Sequence, residues 1–438
     1  MYSYKIKYFL LLLLTFHQFN LNSQVLSDEE LTSTPVFYVI PQDSFSRVYK
    51  MELEDISGIP ADIGKLYNLQ SLKIFSDDWN WLLDSIPESL YHIGNLQKLE
   101  ITHSQLKKLS PSIAYLKKLR YLSLAGNQLT SLPDDLAGLD QLKVLKIDGK
   151  IRKVPASPYL QELTCCLDAI HHGLPEGIGK LSNLKRLIID FPDGTIDFSD
   201  LFSELQKLPE LRSLTLNLRG VNDSILESLS KYTRLEELQL EEAEINTPVI
   251  SKFKSLRRLE IGYVYSSPLY QPSAVFYESL NQLPSLKQFS TGYKTADLQY
   301  YKRIPLLSLK IENAQDIENI ILRLSTVKGL TGLYLPELCE TIPASINQLS
   351  QLKEIDLSHN YFKDYKQVFK LLSQLRSLEK ITISNDQLVQ FPDEVKDLKQ
   401  LKFFYVINQK HGIYDPISQS EQGRLKGLIP NCQIYFQN

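Results

Sequence analysis

The stretch Leu119-Arg-Tyr-Leu122-Ser-Leu124-Ala-Gly-Asn127, continued by Gln128-Leu129-Thr-Ser-Leu132-Pro133-Asp-Asp-Leu136-Ala-Gly-Leu139, holds two periods in one short run. Leu122 and Leu124 alternate, which predicts a strand entered at Leu119. The later spacing of Leu132, Leu136 and Leu139 is that of a loose helical turn. Between the two periods stands Asn127, three residues past the strand, where a short amide can bond the backbone of a turn. Such a unit has one apolar face and too little chain to bury it, so it must stack on copies of itself.

The copies are present. Working outward, frames begin at Val48, Leu69, Leu96, Leu119, Leu142, Leu160, Leu184, Leu211, Leu235, Leu256, Leu286, Leu306, Leu330, Leu352, Leu378 and Leu401. Most steps run 20 to 27 residues; the exceptions are 18 from Leu142 to Leu160 and 30 from Leu256 to Leu286. The pattern LxxLxLxxN with an LPxxL continuation resembles the leucine-rich repeat family in its bacterial secreted or surface type. That resemblance implies an α/β fold, a leucine-rich repeat solenoid or horseshoe. Its concave side would be a parallel β-sheet, and its convex side would mix extended or 3-10 segments with α-helices. About 16 repeats would fill residues 48–410.

Proline divides the outer segments. Ile59-Pro60, Ile86-Pro87, Leu132-Pro133, Val154-Pro155, Leu174-Pro175, Ile342-Pro343 and Phe391-Pro392 each precede a short apolar turn. Proline fixes φ and lacks a donor, so these walls are expected to be extended or loosely coiled. The proline-free runs from Phe198, Asp223, Ile317 and Tyr365 have 3/4 apolar spacing and predict outer helices, making the wall helical from Phe198 to about Leu324.

At the front, Lys5 and Lys7 precede the apolar run Tyr8–Leu14, then a polar stretch ending at Ser23. This is the layout of a secretory signal over residues 1–23. Its apolar core is too short for a membrane span, which needs about 20 residues. Residues 24–47 form a leader and cap: Ser27–Thr34 is expected to be mobile, and Val36–Ile40 to cover the open end of the first repeat. Residues 411–438 resemble the closing cap of such proteins. The product would be secreted, periplasmic or outer-surface associated, and not an integral membrane protein.

The formal net charge of −3 gives no electrostatic reason to expect nucleic acid. Four cysteines are too few for a disulfide scaffold. Cys165 occupies a core slot and Cys166 the opposite face. No P-loop, dinucleotide glycine pattern, HExxH or GxSxG occurs. Cys165, Cys166, His171 and His172 are the nearest approach to a metal set, but Cys165 is committed to the core. The reading is therefore no enzyme, no cofactor and no metal.

Alternation sends the third and fifth residues of each frame to the concave surface. In the first half these are Lys50, Glu52, Ser71, Lys73, Lys98, Glu100, Tyr121, Ser123, Lys146 and, later, Arg186: a mixed, solvated face. From the ninth repeat the face offers Glu237, Gln239, Glu241, Arg258 and Glu260, then Tyr263, Tyr293 and Tyr334, and finally Phe403 and Tyr405. Tyrosines beside carboxylates suit protein contacts. These ten residues are the candidate site for a protein or peptide partner. The alternative is a carbohydrate or cell-wall glycan stacked on the tyrosines, favoured if Tyr263, Tyr293 and Tyr334 form a coplanar row.

Overall fold

The computed structural model describes residues 26–437 except 28–29, 32–33, 35, 39–44, 77–82, 149, 168–173, 192–193, 195, 242, 263–272, 292–307, 312–316, 336–339, 385–387, 389 and 408–416. The chain forms two units, Met1–Tyr159 and Leu160–Asn438. Each is a solenoid segment with a parallel sheet on one side and 3-10 or α segments on the other.

In the first unit β1 (Val36–Phe37), β2 (Lys50–Glu54), β3 (Ser71–Phe75), β4 (Lys98–Thr102), β5 (Tyr121–Ser123) and β6 (Val144–Asp148) pair in chain order. The second unit continues the numbering with β7 (Glu162–Cys166), β8 (Arg186–Phe191), β9 (Ser213–Leu218), β10 (Glu237–Glu241), β11 (Arg258–Ile261) and β12 (Gln288–Thr291). It ends with β13 (Ser308–Ile311), β14 (Gly332–Tyr334), β15 (Glu354–Leu357), β16 (Lys380–Ser384), β17 (Phe403–Ile407) and β18 (Gln433–Gln437), again pairing neighbour to neighbour. Every frame read from the sequence carries a strand that starts two residues after its first apolar residue, the short step to Leu160 included. Leu72, Leu99, Leu122 and Leu145 stand directly opposite one another across four strands and are at most 1% exposed. Burial at this level stabilises by about 1.5–3 kcal/mol per leucine.

One residue decides which wall forms. After Pro60, Pro87, Pro133, Pro343 and Pro392, whose ψ of 138–153° is extended, the chain makes five-residue 3-10 turns with no side-chain cap. Their buried aliphatic residues recur every three, as Ile63, Leu66 and Leu69 do, matching three residues per turn. The bonds follow suit: Leu66 N–H donates to Ile63 O (3.0 Å) and Leu69 N–H to Leu66 O (2.9 Å). Where Asp, Asn or Ser stands instead and no proline follows it, its side chain accepts from the first-turn amides and an α-helix follows. Ser110, followed by Pro111, accepts from Ser112 N–H (3.2 Å) and still leads into a 3-10 turn. Asp197 caps α1 (Phe198–Leu205), Asn222 caps α2 (Asp223–Leu229) and Ser273 caps α3 (Ala274–Leu280). After α4 (Ile317–Leu324), Asp364 caps α5 (Tyr365–Leu372) and Ser418 caps α6 (Gln419–Leu428). Inside these helices buried apolar steps of four appear, as from Leu201 to Leu205 and Val368 to Leu372, beside steps of three such as Leu226 to Leu229 and Ile321 to Leu324.

The expected helical wall from Phe198 to Leu324 needs correction in one place. Thr247 makes no side-chain cap, Pro248 follows it, and Pro248–Lys252 is a 3-10 turn with Ile250, Phe253 and Leu256 at steps of three.

Strand exits repeat one device. The eighth frame residue is left-handed at Asp55, His103, Gly126 and His359, with φ of 56°, 52°, 74° and 59°. At Gly126 a Cβ would fall 2.7 Å from His103 N, so glycine is required there. The next residue, Asn127, donates to Ile101 O (2.7 Å) and Leu124 O (2.8 Å) and accepts from Leu106 N–H. Asn360 repeats this toward Leu335 O (2.6 Å). Asp148 takes the Gly126 and Asn127 amides on its two oxygens (2.7 and 2.6 Å); burial still pushes its carboxyl above the usual range.

The described residues of the leader make contacts that its polar composition does not suggest. Ser27 and Glu30 form a capping box, with Glu30 N–H donating to Ser27 Oγ (3.2 Å) and Ser27 N–H to Glu30 Oε2 (2.8 Å). Leu26 and Leu31 bury against Tyr49. Leu26 N–H donates to Gln70 Oε1 (2.9 Å), which also accepts from Gln97 Nε2 (2.7 Å). Polar composition suggested solvent; two buried glutamines supply the partners that hold it.

At the other end α6 and β18 cover the last repeat. Glu421 on α6 is buried, accepts from Phe391 N–H (2.8 Å) and Arg424 Nε (2.8 Å), and Arg424 also donates to Phe391 O and Asp393 Oδ1 (2.7 Å). The Arg424 bond holds the Glu421 carboxyl below its ordinary value.

Candidate functional site

The sheet face of the second unit is built by register. One row across it reads Glu162, Arg186, Ser213, Glu237, Arg258, Gln288, Ser308, Gly332, Glu354, Lys380, Phe403 and Gln433. A second, two residues along each strand, reads Thr164, Ile188, Thr215, Gln239, Glu260, Ser290, Lys310, Tyr334, Asp356, Thr382, Tyr405 and Tyr435. Carboxylates outnumber cations here: Glu162, Asp190, Glu237, Glu241, Glu260, Glu354 and Asp356 against Arg186, Arg258, Lys310 and Lys380.

The described candidate residues fall into two clusters. In the first, Glu237 on β10 sits directly opposite Arg258 on β11, and Gln239 opposite Glu260. Arg186 Nη2 donates to Glu237 Oε2 (2.9 Å), which also accepts from Ser213 Oγ (2.9 Å); Arg186 Nε lies 3.7 Å from Glu162. Arg258 Nη2 donates along its own strand to Glu260 Oε2 (3.1 Å). Glu241 lies across Gly262, where a Cβ would be 1.3 Å from Oε2; the missing side chain makes the room for this carboxylate.

In the second, Tyr334 OH donates to Glu354 Oε1 (2.9 Å), and Lys380 Nζ donates to the same oxygen (2.5 Å). Burial, then the Glu354 charge, raises the Tyr334 phenol above its ordinary value, so it stays a donor. Lys380 stands 5.1 Å over the Tyr405 ring centroid, and Tyr405 stacks on Tyr435 at 4.7 Å and 11°. Phe403, half-buried, borders Lys380 and Gln433. Two strands, β12 and β13, separate β11 from β14, so the clusters stand roughly 14 Å apart.

Tyr263 and Tyr293 lie outside the described residues, as do His171, His172, Cys339 and segment 1–23. Sequence reasoning did not name Glu354, Lys380 or Tyr435 for the site. The frame rule that found Tyr334 and Tyr405 also reaches Glu354 and Lys380. Tyr435 belongs to a strand that the frame count, ending at Leu401, leaves out. Among the described residues no group of His, Cys, Asp and Glu could hold a metal ion, and no helix is long and apolar enough to cross a membrane. Cys165 is fully buried and its thiol is pushed up by burial, while Cys166 on the sheet face is partly exposed.

Parallel strands in register within each unit, walled by 3-10 turns and helices, define a leucine-rich repeat protein. The chain belongs to that family: the profile described as leucine-rich repeat region matches residues 105–336, just over half of its 438 residues. Among solved structures it is similar to a leucine-rich repeat protein of Leptospira interrogans (22% identity, TM-score 0.39, covering 92% of this chain and 100% of that one). An internalin of Listeria monocytogenes matches at 20% identity and TM-score 0.36, over 80% of this chain and 88% of its own. A plant peptide hormone receptor solved with its peptide matches at 19% and 0.36, over 83% and 64%. Resemblances this distant carry no inference about function. No curated protein matches the chain.

Proposed function

We propose that this is a secreted, non-enzymatic binding protein that holds a protein or peptide segment against the sheet face of its second unit. The observation that carries the reading is the excess of carboxylates on that face beside the ladder Tyr334–Glu354–Lys380–Tyr405–Tyr435. A rigid strand register presents these groups in fixed rows, which suits an extended or folded polypeptide. The carboxylate excess favours a basic segment, and the aromatic ladder supplies apolar area for a central contact. Residues 1–23, as a secretory signal, support export. A glycan is the weaker reading. The rings of Tyr405 and Tyr435 turn their faces to each other, not side by side as the flat platform a sugar needs.

The test is selection of a displayed random-peptide library on the mature protein. Basic sequences are expected to be enriched. Their affinity should fall at least tenfold in Tyr405→Ala/Tyr334→Ala, the scale of aromatic hot spots. Reversing Glu237 and Glu260 to lysine should chiefly slow association. Enrichment of acidic peptides, or of binders indifferent to all these changes, would overturn the assignment.

A further inference from the structure

The outer edge of β18 differs from every other strand edge described. Among the described residues β18 pairs only with β17, and its five residues Gln433-Ile-Tyr-Phe-Gln437 include no charge and no proline. Open edges are ordinarily blunted by shortness, lysine or proline. The first strand of the chain fits that rule: β1 has two residues.

The apolar residues of β18 are also less buried than those of β17. Phe404 and Val406 on β17 are 0% exposed, whereas Ile434 and Phe436, directly opposite them, are only partly buried. Tyr435 is 41% exposed; one face of its ring lies on Tyr405 and the other has no following strand among the described residues.

The strand is symmetric about Tyr435. Read backwards it is Gln-Phe-Tyr-Ile-Gln, so an antiparallel copy centred on Tyr435 sets Gln433 against Gln437, Ile434 against Phe436 and Tyr435 against itself. Apolar residues then meet on the core side, and amide and phenol groups on the sheet side. A one-residue slip would turn every side chain to the wrong face.

Helix α6 gives a second, independent observation. Its buried face, Glu421 and Leu425, packs toward the Asp393–Asp397 turn. Gly423 and Gly427 stand on the opposite face, exposed, where a Cβ on either would meet nothing within 4 Å. Glycine weakens a helix interior, and nothing in the chain itself calls for it at these two places. A second helix approaching closely would, because interaxial distance is set by the side chains at the contact.

We propose that two copies of the chain associate through the β18 edges, antiparallel about a two-fold axis at Tyr435, with the glycine faces of the two α6 helices closing the outer side. Such an interface is isologous, each residue meeting its symmetric partner.

The test uses the mature chain with Cys432→Ser. A residue on the axis faces its own copy at a Cα separation of about 4.5–5.5 Å, within disulfide reach. Tyr435→Cys should therefore form a linked dimer under mild oxidation. Gln433→Cys alone should not, yet it should link when mixed with Gln437→Cys. By sedimentation equilibrium, Tyr435→Lys and Gly423→Arg should each weaken association at least tenfold with unchanged circular dichroism. A protein that stays monomeric up to about 100 µM, beyond the range expected of a specific interface, overturns the proposal. So does a Gln433→Cys that links as readily as Tyr435→Cys, or a dimer indifferent to both charged variants. None of these readouts depends on a ligand, so failure here leaves the peptide-binding reading standing.

Discussion

The two units use the same strand register and differ in nearly everything hung on it. In the first, the outer segments Ala61–Lys65, Glu88–His92, Pro111–Tyr115 and Asp134–Gly138 are all 3-10 turns. In the second, 3-10 turns alternate irregularly with α-helices. The sheet faces differ too. The first pairs Lys98 with Glu100 (2.6 Å) and sets Lys98 and Lys146 at 4.9 and 5.6 Å over the Tyr121 ring, balancing its charges internally. The second carries the carboxylate excess and the aromatic ladder. The lesson is that the strand ladder and the exit turn carry the fold, whereas wall type and face composition vary without disturbing it.

If that is so, the largest effects should come from the shared exit turn. Asn127→Ala removes two carbonyl partners and strands the buried Leu106 amide. A loss of about 2–4 kcal/mol is expected by chemical denaturation. Asn360→Ala in the second unit should cost a comparable amount, since Asn360 likewise donates to Leu335 O and Ser358 O. Equal and small losses at both would break the claim that this turn is common currency between the units.

Next comes the end of the second unit. Glu421 is held below its ordinary carboxyl value of 4.5, first by the Arg424 bond and also by the Phe391 amide. A carboxyl with a lowered folded value contributes stability that is complete above its unfolded value and is lost as pH falls through the folded one. Thermal unfolding should therefore lose stability as pH drops below about 4.5, and Glu421→Gln should remove that part of the acid sensitivity. At neutral pH the variant should cost about 1–2 kcal/mol. Unchanged acid sensitivity would place the titrating group elsewhere.

Much of this was legible. Leucine spacing located sixteen of the eighteen described strands, β2 to β17, because nearly every core slot is filled by an apolar residue with no competing role. Proline marked the 3-10 walls because its φ and missing donor act locally. What escaped depended on contacts distant in sequence. Gln70 and Gln97, both polar, bury to hold Leu26, so the leader read as solvated. Glu354 and Lys380 matter through Tyr334 and Tyr405, which only strand neighbours reveal. The Pro248 turn was missed because the runs on either side were proline-free.

The wall rule makes a smaller prediction. Asn222 accepts from Ser224 N–H (3.0 Å) and Ile225 N–H (3.2 Å), so Asn222→Ala should cost about 1 kcal/mol and fray α2. Pro133→Ala should cost about half that or less, because Pro133 makes no capping bond and contributes chiefly by restricting the unfolded chain. Hydrogen exchange of the first-turn amides distinguishes the two. A larger loss at Pro133 would mean the 3-10 wall depends on proline more than its apolar step of three implies.

The smallest effect on stability, and the sharpest on register, concerns β7, where the second unit begins after the shortest step. Alternation sends Cys165 to the core and Cys166 to the sheet face. The structure agrees: Cys165 is 0% exposed and its thiol is raised by burial, first, and by Cys166 beside it. The thiolate is the reacting form, so both access and ionisation suppress Cys165. Alkylating the folded protein at pH 8 and mapping the peptide that holds both residues should find Cys166 modified at least tenfold faster. A Cys165→Ala substitution should leave the Cys166 rate unchanged, because the two side chains point to opposite sides of the strand. Comparable rates in the folded protein, falling together when the fold is stabilised, would mean that β7 opens locally. The ladder of the second unit would then not begin intact at β7.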